Sequence, residues 1–403
     1  MKRRVLPMLA CACVACTVPG LTAYGAAPQP DARRSLALRG GAETPEGKVT
    51  AVTLDGVSIE LSGGEAPRTV VLGWDRVATV SGIESLGADA AATAIECRPL
   101  ADTAWRARTR LSRGDAPGAE PLFESLFTRY EGRAGPTPAV VASGLLRCRL
   151  TRQAQAAAVR PWLALVASGE AEAVFDTPAL VADGIVVPPL TDPATGLAPG
   201  LPPIWIAGPS LQAVGAREYA QSTDTPTPAP SARAALLSGL YVASARAAMG
   251  DAVTLPARPA LDDGAALVWD VVAADAGTPE QRVTARGHIT VRLADEATPQ
   301  WIEAWCRVAL GRSLLRDGSE EDVLLGMVHL LHVPSRLEHT SAYLAGVALL
   351  EVAQAQDRAG RADAAARVWR ELEEKYPGHP ALAERGLHAA HDEPAVQRSG
   401  GGS

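Results

Sequence analysis

Residues 345–377, AGVALLEVAQAQDRAGRADAAARVWRELEEKYP, carry the clearest structural pattern in this chain of 403 residues. Apolar residues recur at helical spacing over residues 349–355, and Gly360 then interrupts the run. A second amphipathic run covers residues 364–376 and stops at Pro377. The pattern predicts two helices joined by a tight turn, which is a helix hairpin.

The residue sizes inside this hairpin resemble those of a tetratricopeptide (TPR) repeat. Small residues twelve positions apart, Ala353 and Ala365, allow two backbones to approach, and Trp369 one turn later fills the space between the helices. The TPR pattern W-x2-L-G-x2-Y, A-x3-F, P falls on Leu349, Val352, Ala353, Gln356, Ala365, Trp369 and Pro377. Gln356 and the missing first Trp depart from that pattern. The resemblance implies a scaffold with a binding surface and implies no reaction.

The same twelve-residue step, followed four residues later by a bulky side chain, recurs elsewhere. The three further sets are Ala107, Ala119 and Phe123, then Leu146, Ala158 and Trp162, then Gly311, Val323 and Met327. They predict hairpins over residues 104–130, 139–166 and 301–332, with Pro161 delaying or kinking its helix. Helical patterning also covers residues 231–249, 264–274 and 280–293, and an extended loop is expected over residues 332–340.

The first 25 residues have the features of an export signal. Lys2, Arg3 and Arg4 precede an apolar stretch, and small residues follow around position 25. An uncleaved signal anchor and a lipid anchor are the alternatives. Pro7 and Pro19 break the apolar run, which argues against an anchor that spans the bilayer. The cysteines that could be lipidated lack the usual lipoprotein triplet before them; they are Cys11, Cys13 and Cys16. We therefore predict a periplasmic or secreted protein.

Residues 26–83 change from helical to alternating periodicity. Residues 48–61 alternate around Asp55-Gly56 and predict a β-hairpin, and residues 70–72 and 77–80 add strand, with Trp74 between them. Gly63-Gly64 is expected to form a turn. A few short strands bury little surface, so this β module should rest on the first helices or close into a small barrel. A ligand-binding barrel and a structural cap both stay open.

A proline-rich stretch divides the helical sequence. Residues 181–230 contain ten prolines from Pro188 to Pro230, which forbid a regular packed helix over most of this length. We expect an ordered excursion followed by a loose linker. Ile204, Trp205 and Ile206 are apolar and should dock on the helices. A proline-rich ligand for a partner domain is the functional alternative.

Composition narrows the classes of partner. The formal net charge is −7, and removal of three basic and no acidic side chains with residues 1–25 changes it to −10. Lysine occurs only at Lys2, Lys48 and Lys375, and the arginines are mixed among acids. A nucleic-acid-binding face requires a basic stripe, so that class is not expected. We predict a protein or peptide partner, and contact with the membrane only through an anchor or a retained signal.

The best candidate for chemistry is a group of residues near position 332, consisting of His329, His332, Glu338 and His339. Two imidazoles three residues apart share a helical face and could bind zinc. No HExxH motif accompanies them, and imidazoles also suit the negative end of a helix. No GxSxG, Walker A or GxGxxG pattern occurs. We therefore predict no catalytic, cofactor-binding or metal site, and we keep a metal-dependent exported hydrolase as the alternative.

Three cysteines follow the predicted signal, and all lie in apolar helical sequence: Cys97, Cys148 and Cys306. They are expected to be small buried side chains, although an oxidising compartment would permit a bridge between Cys97 and Cys148.

The sequence as a whole predicts a mainly α fold, with TPR-like hairpins forming an α-solenoid behind a small antiparallel β module. The predicted order is a signal over 1–25, the β module over 26–83, and a helical block over 84–180. The proline-rich insertion over 181–230, a second helical block over 231–395 and a disordered tail over 396–403 follow. The predicted function is a non-catalytic exported scaffold for a protein or peptide partner, and a self-assembling envelope component is a further alternative.

Overall fold

The computed structural model describes residues 35–42, 47–61, 68–169, 181–182, 185–186, 190–206, 215–222 and 231–383. Within these residues the chain is mainly helical, and a small antiparallel β module precedes the helices. The predicted signal, the turn at Gly63-Gly64 and the tail over 396–403 lie outside the described residues.

Twelve α-helices lie in the described part of the chain. The four that follow the β module are α1 (Ala88–Ser112), α2 (Ala116–Tyr130), α3 (Pro136–Thr151) and α4 (Gln155–Ser168). The later helices are α5 (Gly215–Ser222), α6 (Ala232–Ala248), α7 (Asp263–Ala276), α8 (Pro279–Ala294), α9 (Gln300–Asp317), α10 (Glu320–Arg336), α11 (Ala342–Arg358) and α12 (Ala362–Lys375). Each pairs with the next within the two runs α1 to α4 and α6 to α12.

The β module has five strands: β1 (Ser35–Leu38), β2 (Gly47–Thr53), β3 (Gly56–Leu61), β4 (Arg68–Leu72) and β5 (Val77–Ser81). Strands β2, β3 and β4 form an antiparallel sheet, and β1 pairs antiparallel with β5. The predicted hairpin around Asp55-Gly56 is confirmed as β2 and β3. Two further short strands, β6 (Val181–Ala182) and β7 (Ile185–Val186), pair with each other later in the chain.

The β module rests on the first helices, as expected. Thr137 at the start of α3 accepts a hydrogen bond through its hydroxyl from the Trp74 backbone N–H at 3.0 Å, and its own N–H donates to the Asp55 carbonyl. The buried Asp75 carboxylate pairs with Arg108 of α1 at 2.6 Å. These polar contacts fix the module as a cap at the start of the helical array.

The helix hairpin predicted within residues 345–377 is confirmed as α11 and α12. Helix α11 packs against α12, and Gly360 in the turn between them has φ = 70°, which glycine adopts without steric cost. Ala353, Ala365 and Trp369 are all buried, in agreement with their proposed roles at the helix contact. Small residues at fixed positions therefore allow these helices to pack closely.

A second close contact joins α2 and α3. A Cβ atom added to Gly144 would lie 2.2 Å from Phe123, so the ring occupies the space that a side chain would fill. In the α9 and α10 pair the closest approach involves Gly311 and Gly326, where an added Cβ would lie 2.9 Å from the other residue's carbonyl oxygen. The sequence had indicated Val323 for this position. Gly311 facing Gly326 leaves more room for two helix backbones than Gly311 facing Val323 would, so α9 and α10 cross at the two glycines.

Three local predictions differ from the structure. Helix α10 continues through Pro334 to Arg336, so the loop expected from residue 332 begins later. Its last turn is held by the buried side chains of Val333 and Leu337. Helix α4 begins at Gln155, so Pro161 does not delay its start, and α5 forms inside the predicted linker, in a stretch of residues without proline.

Candidate functional site

The two histidines considered as possible zinc ligands, His329 and His332, contact different side chains of α9. His329 Nδ1 lies 3.4 Å from Arg307, and His332 Nε2 lies 3.3 Å from the carboxylate of Glu303. Burial, together with the positive charge of Arg307, lowers the pKa of both imidazoles, which favours their neutral forms. Both side chains therefore belong to a contact between α9 and α10.

The other two members of that group lie against different elements. His339 Nε2 lies 3.0 Å from the side-chain oxygen of Gln300, and Glu338 accepts a hydrogen bond from the Tyr376 hydroxyl at 3.2 Å. Over the residues that the structure describes, no group of three or more His, Cys, Asp or Glu side chains is placed to hold a metal ion. The sequence neighbours thus do not converge into a ligand set.

The three cysteines are buried free thiols, so the bridge considered between Cys97 and Cys148 does not form. Burial raises the pKa of the Cys97 thiol to about 11 and that of the Cys148 thiol to about 12. A thiol with a raised pKa is a poor nucleophile at neutral pH. The prediction that these residues are small buried side chains is confirmed.

A buried carboxylate that the sequence did not single out joins α7 to its neighbours. Asp270 is fully buried and accepts two hydrogen bonds from Arg258, each at 2.8 Å, while His288 Nδ1 lies 2.8 Å away. Because the Arg258 guanidinium binds both carboxylate oxygens, the Arg258–Asp270 pair anchors the segment before α7, and His288 joins the same carboxylate to α8.

The proline-rich segment from Leu190 to Ile206, which we call the inner segment, lies against the helices. Its buried apolar side chains include Leu190, Leu197, Ala198, Leu201, Ile204 and Trp205. The expectation that this region docks is therefore confirmed. Near its start, the inner segment also contacts the backbone of α7. A Cβ atom added to Gly264 of α7 would lie 2.4 Å from the Thr195 carbonyl oxygen.

Side chains of three helices hold the main chain of the inner segment. Between residues 199 and 205, five carbonyls accept hydrogen bonds from helix side chains: Leu201 from Tyr241, Pro203 from Ser244, Pro199 from Trp305, Trp205 from Arg312 and Ile204 from Tyr343. The donors belong to α6, α9 and α11. Because prolines and extended backbone leave carbonyls without intrasegment partners, the helices supply the donors that burial demands.

The Arg312 guanidinium is the charged group among these donors. It is 7% exposed and pairs with Glu351 of α11 at 2.7 Å while it binds the Trp205 carbonyl. Burial lowers the pKa of Arg312, but the charge and hydrogen bond of Glu351 together with the charges of Asp275 and Tyr343 outweigh this effect, and the net direction is upward. Arg312 is therefore a permanent donor that links two helices to the inner segment.

The inner segment has a direct consequence for binding. This segment covers the surfaces of α6, α9 and α11 that carry these donors. Helices α9 and α11 therefore lie between the inner segment and helices α8, α10 and α12, which we call the outer helices. Helices α7, α9 and α11 are accordingly buried on nearly all sides. We call the donor-bearing surface of α6, α9 and α11 the inner surface, and it is occupied by the protein's own inner segment.

The outer helices carry most of the exposed apolar side chains. Six of the nine large hydrophobic residues that are exposed in the described chain lie on α8 and α10: Val283, Val291, Leu324, Leu325, Val328 and Leu331. The sequence contained a signal for the four on α10, because apolar residues there exceed those needed for one buried face. We call these four residues the α10 face.

These features define a mainly helical protein with a β cap, a self-filled inner surface and an exposed apolar outer helix. No protein family, curated protein or solved structure matches the chain. Among the residues that the structure covers, no helix has both the length and the hydrophobicity required to cross a bilayer.

Proposed function

We propose that this protein is a non-catalytic, exported helical-repeat scaffold that holds a protein or peptide partner in the cell envelope. The main support is the set of exposed apolar side chains on α8 and α10, and the way the helices bind the inner segment adds to it. Five main-chain carbonyls accept hydrogen bonds from side chains of α6, α9 and α11, which is a mode of recognition suited to an extended peptide. The proposed repeat unit is the TPR-like hairpin, stacked as an α-solenoid.

The partner surface in this proposal is the outer layer of helices. The inner segment already satisfies the donors of the inner surface and buries its apolar side chains there, so a second peptide would have to displace it. The exposed apolar side chains on α8 and α10 are available without such a cost. The net charge of −7 argues further for a protein partner over a nucleic acid.

Site-specific photo-crosslinking tests this function. A photoreactive residue replaces Val291 on α8 or Val328 on α10, and a control carries it at Thr128, an exposed position on α2. In envelope preparations we expect crosslinked products of discrete mass from the two outer positions and none from Thr128. The scaffold function would be refuted if, in repeated experiments, neither outer position gave a crosslinked product that contains a protein other than a second copy of this chain.

A further inference from the structure

The α10 face is a continuous exposed apolar stripe. Leu324, Leu325, Val328 and Leu331 are 49%, 48%, 63% and 41% exposed, respectively, and their spacing places all four on one side of the helix. Val328 lies at the centre of this side, since Leu324 and Leu325 precede it by one turn and Leu331 follows it by one turn. A large apolar stripe on a water-exposed helix favours burial against another surface.

Opposite charges lie at the two ends of the stripe. Glu320 and Glu321 begin α10, and Arg336 ends it. All three side chains are exposed, and none has an ion-pair partner among the described residues. Glu321 precedes Val328 by seven residues and Arg336 follows it by eight, so the charges are nearly equidistant from the centre of the stripe.

We infer that the α10 face pairs with the α10 face of a second copy, antiparallel and about a two-fold axis at Val328. This inference rests on the proposed function and names the partner at one part of the outer layer. In this register Val328 meets Val328 of the second copy, and Leu324 lies beside Leu331 of the second copy. The apolar stripes are then buried against each other.

The same register places Glu321 beside Arg336 of the second copy, because both lie on the same side of the stripe and at similar distances from Val328. The two-fold axis repeats this contact, giving two ion pairs per dimer. A parallel pairing would instead place Glu321 next to Glu321 of the second copy, which is repulsive. The charge arrangement therefore selects the antiparallel orientation.

Measurement of the solution mass tests the pairing with the full mature chain. Sedimentation equilibrium from micromolar to submillimolar protein should show a concentration-dependent dimer. Val328→Glu would bring two negative side chains, one from each copy, together at the two-fold axis, so this variant should be monomeric at every concentration. Ile95→Glu is the matched control, because Ile95 is a β-branched residue that is 76% exposed on α1, and this variant should dimerise like the wild type.

A charge exchange tests the orientation. Glu321→Arg and Arg336→Glu should each weaken dimerisation about tenfold, since each turns two attractions into repulsions between exposed side chains. The double variant should restore wild-type affinity because the pairs reform with exchanged signs. In addition, Leu324→Cys mixed with Leu331→Cys should give a disulfide-linked heterodimer, whereas a parallel pair would link Leu324→Cys to itself.

Two results would overturn the inference: a wild-type monomer at every concentration, or a dimer that Val328→Glu leaves intact. Circular dichroism of each variant establishes that it is folded, so a loss of dimer cannot be attributed to unfolding. The scaffold function has a separate readout in photo-crosslinking to a different protein. A monomer that still crosslinks to another protein would refute self-pairing and leave the scaffold function standing.

Discussion

Stability should depend on pH through one buried imidazole, that of His379. Its side chain is buried, Nε2 donates to the Tyr343 carbonyl at 2.9 Å, and Nδ1 accepts from the Ala381 N–H at 3.1 Å. Because the backbone N–H is always a donor, Nδ1 cannot carry a proton in this arrangement. Space for the ring exists only because residue 346 is glycine, since an added Cβ there would lie 2.5 Å from the imidazole.

The size of the effect follows from the pKa. Burial lowers the pKa of His379 from 6.5 to about 4. The unfolded chain therefore binds a proton at a higher pH than the folded chain, and acid favours unfolding. The contribution of His379 is nearly complete above pH 6.5 and falls as the pH drops towards 4. The loss is about 2 kcal/mol at pH 5 and about 3 kcal/mol at its limit.

Chemical denaturation at pH 7 and pH 5 measures this loss. We compare the wild type with His379→Gln, which cannot titrate, and with His339→Gln, which removes an exposed histidine. His379→Gln lowers stability at pH 7 but should reduce the further loss on moving to pH 5 by about 2 kcal/mol relative to the wild type. His339→Gln should lose as much as the wild type. Equal losses in all three proteins would refute the proposed neutral, buried state of His379.

Three further substitutions test the packing and the hold on the inner segment, each by denaturant unfolding. Gly144→Ala should destabilise the protein by about 1–3 kcal/mol because the new methyl group collides with Phe123, and an unchanged midpoint would contradict that close contact. Arg312→Met should cost about 3–5 kcal/mol by leaving Glu351 buried without its partner, and adding Glu351→Leu should recover much of the loss. Tyr343→Phe removes one hydrogen bond to the inner segment and should cost about 1 kcal/mol; no loss would show that this bond does not support the segment.

The sequence was informative wherever the fold depends on local contacts. Residues three, four and twelve positions apart in a hairpin are brought together by the helices themselves, so Ala353, Ala365 and Trp369 could be placed before the structure was known. Alternation around Asp55 was equally local and gave the hairpin of the β module. Gly360 and Pro377 marked the ends of α11 and α12 for the same reason.

Local patterns were uninformative where contacts between residues distant in sequence decide the structure. The group around His332 has adjacent sequence numbers, yet its members take partners from α9, from the residue Gln300 at its start and from the end of α12. The crossing of α9 and α10 at Gly326 was also missed, because only the relative position of two helices selects it.

The sequence by itself determined a mainly helical chain with a β module, the hairpin built on Ala353 and Ala365, and a proline-rich segment too apolar to stay in water. Only the tertiary structure decided where that segment lies and what remains exposed. Its carbonyls meet donors such as Trp305 and Tyr343, which are 106 and 139 residues away along the chain. A periodic pattern in the sequence cannot predict such a pairing. A buried carbonyl needs a hydrogen-bond donor, and the packing of the helices decides which donor lies near it. The inner segment therefore covers the inner surface, whereas the α10 face stays exposed and available for contact with another protein surface.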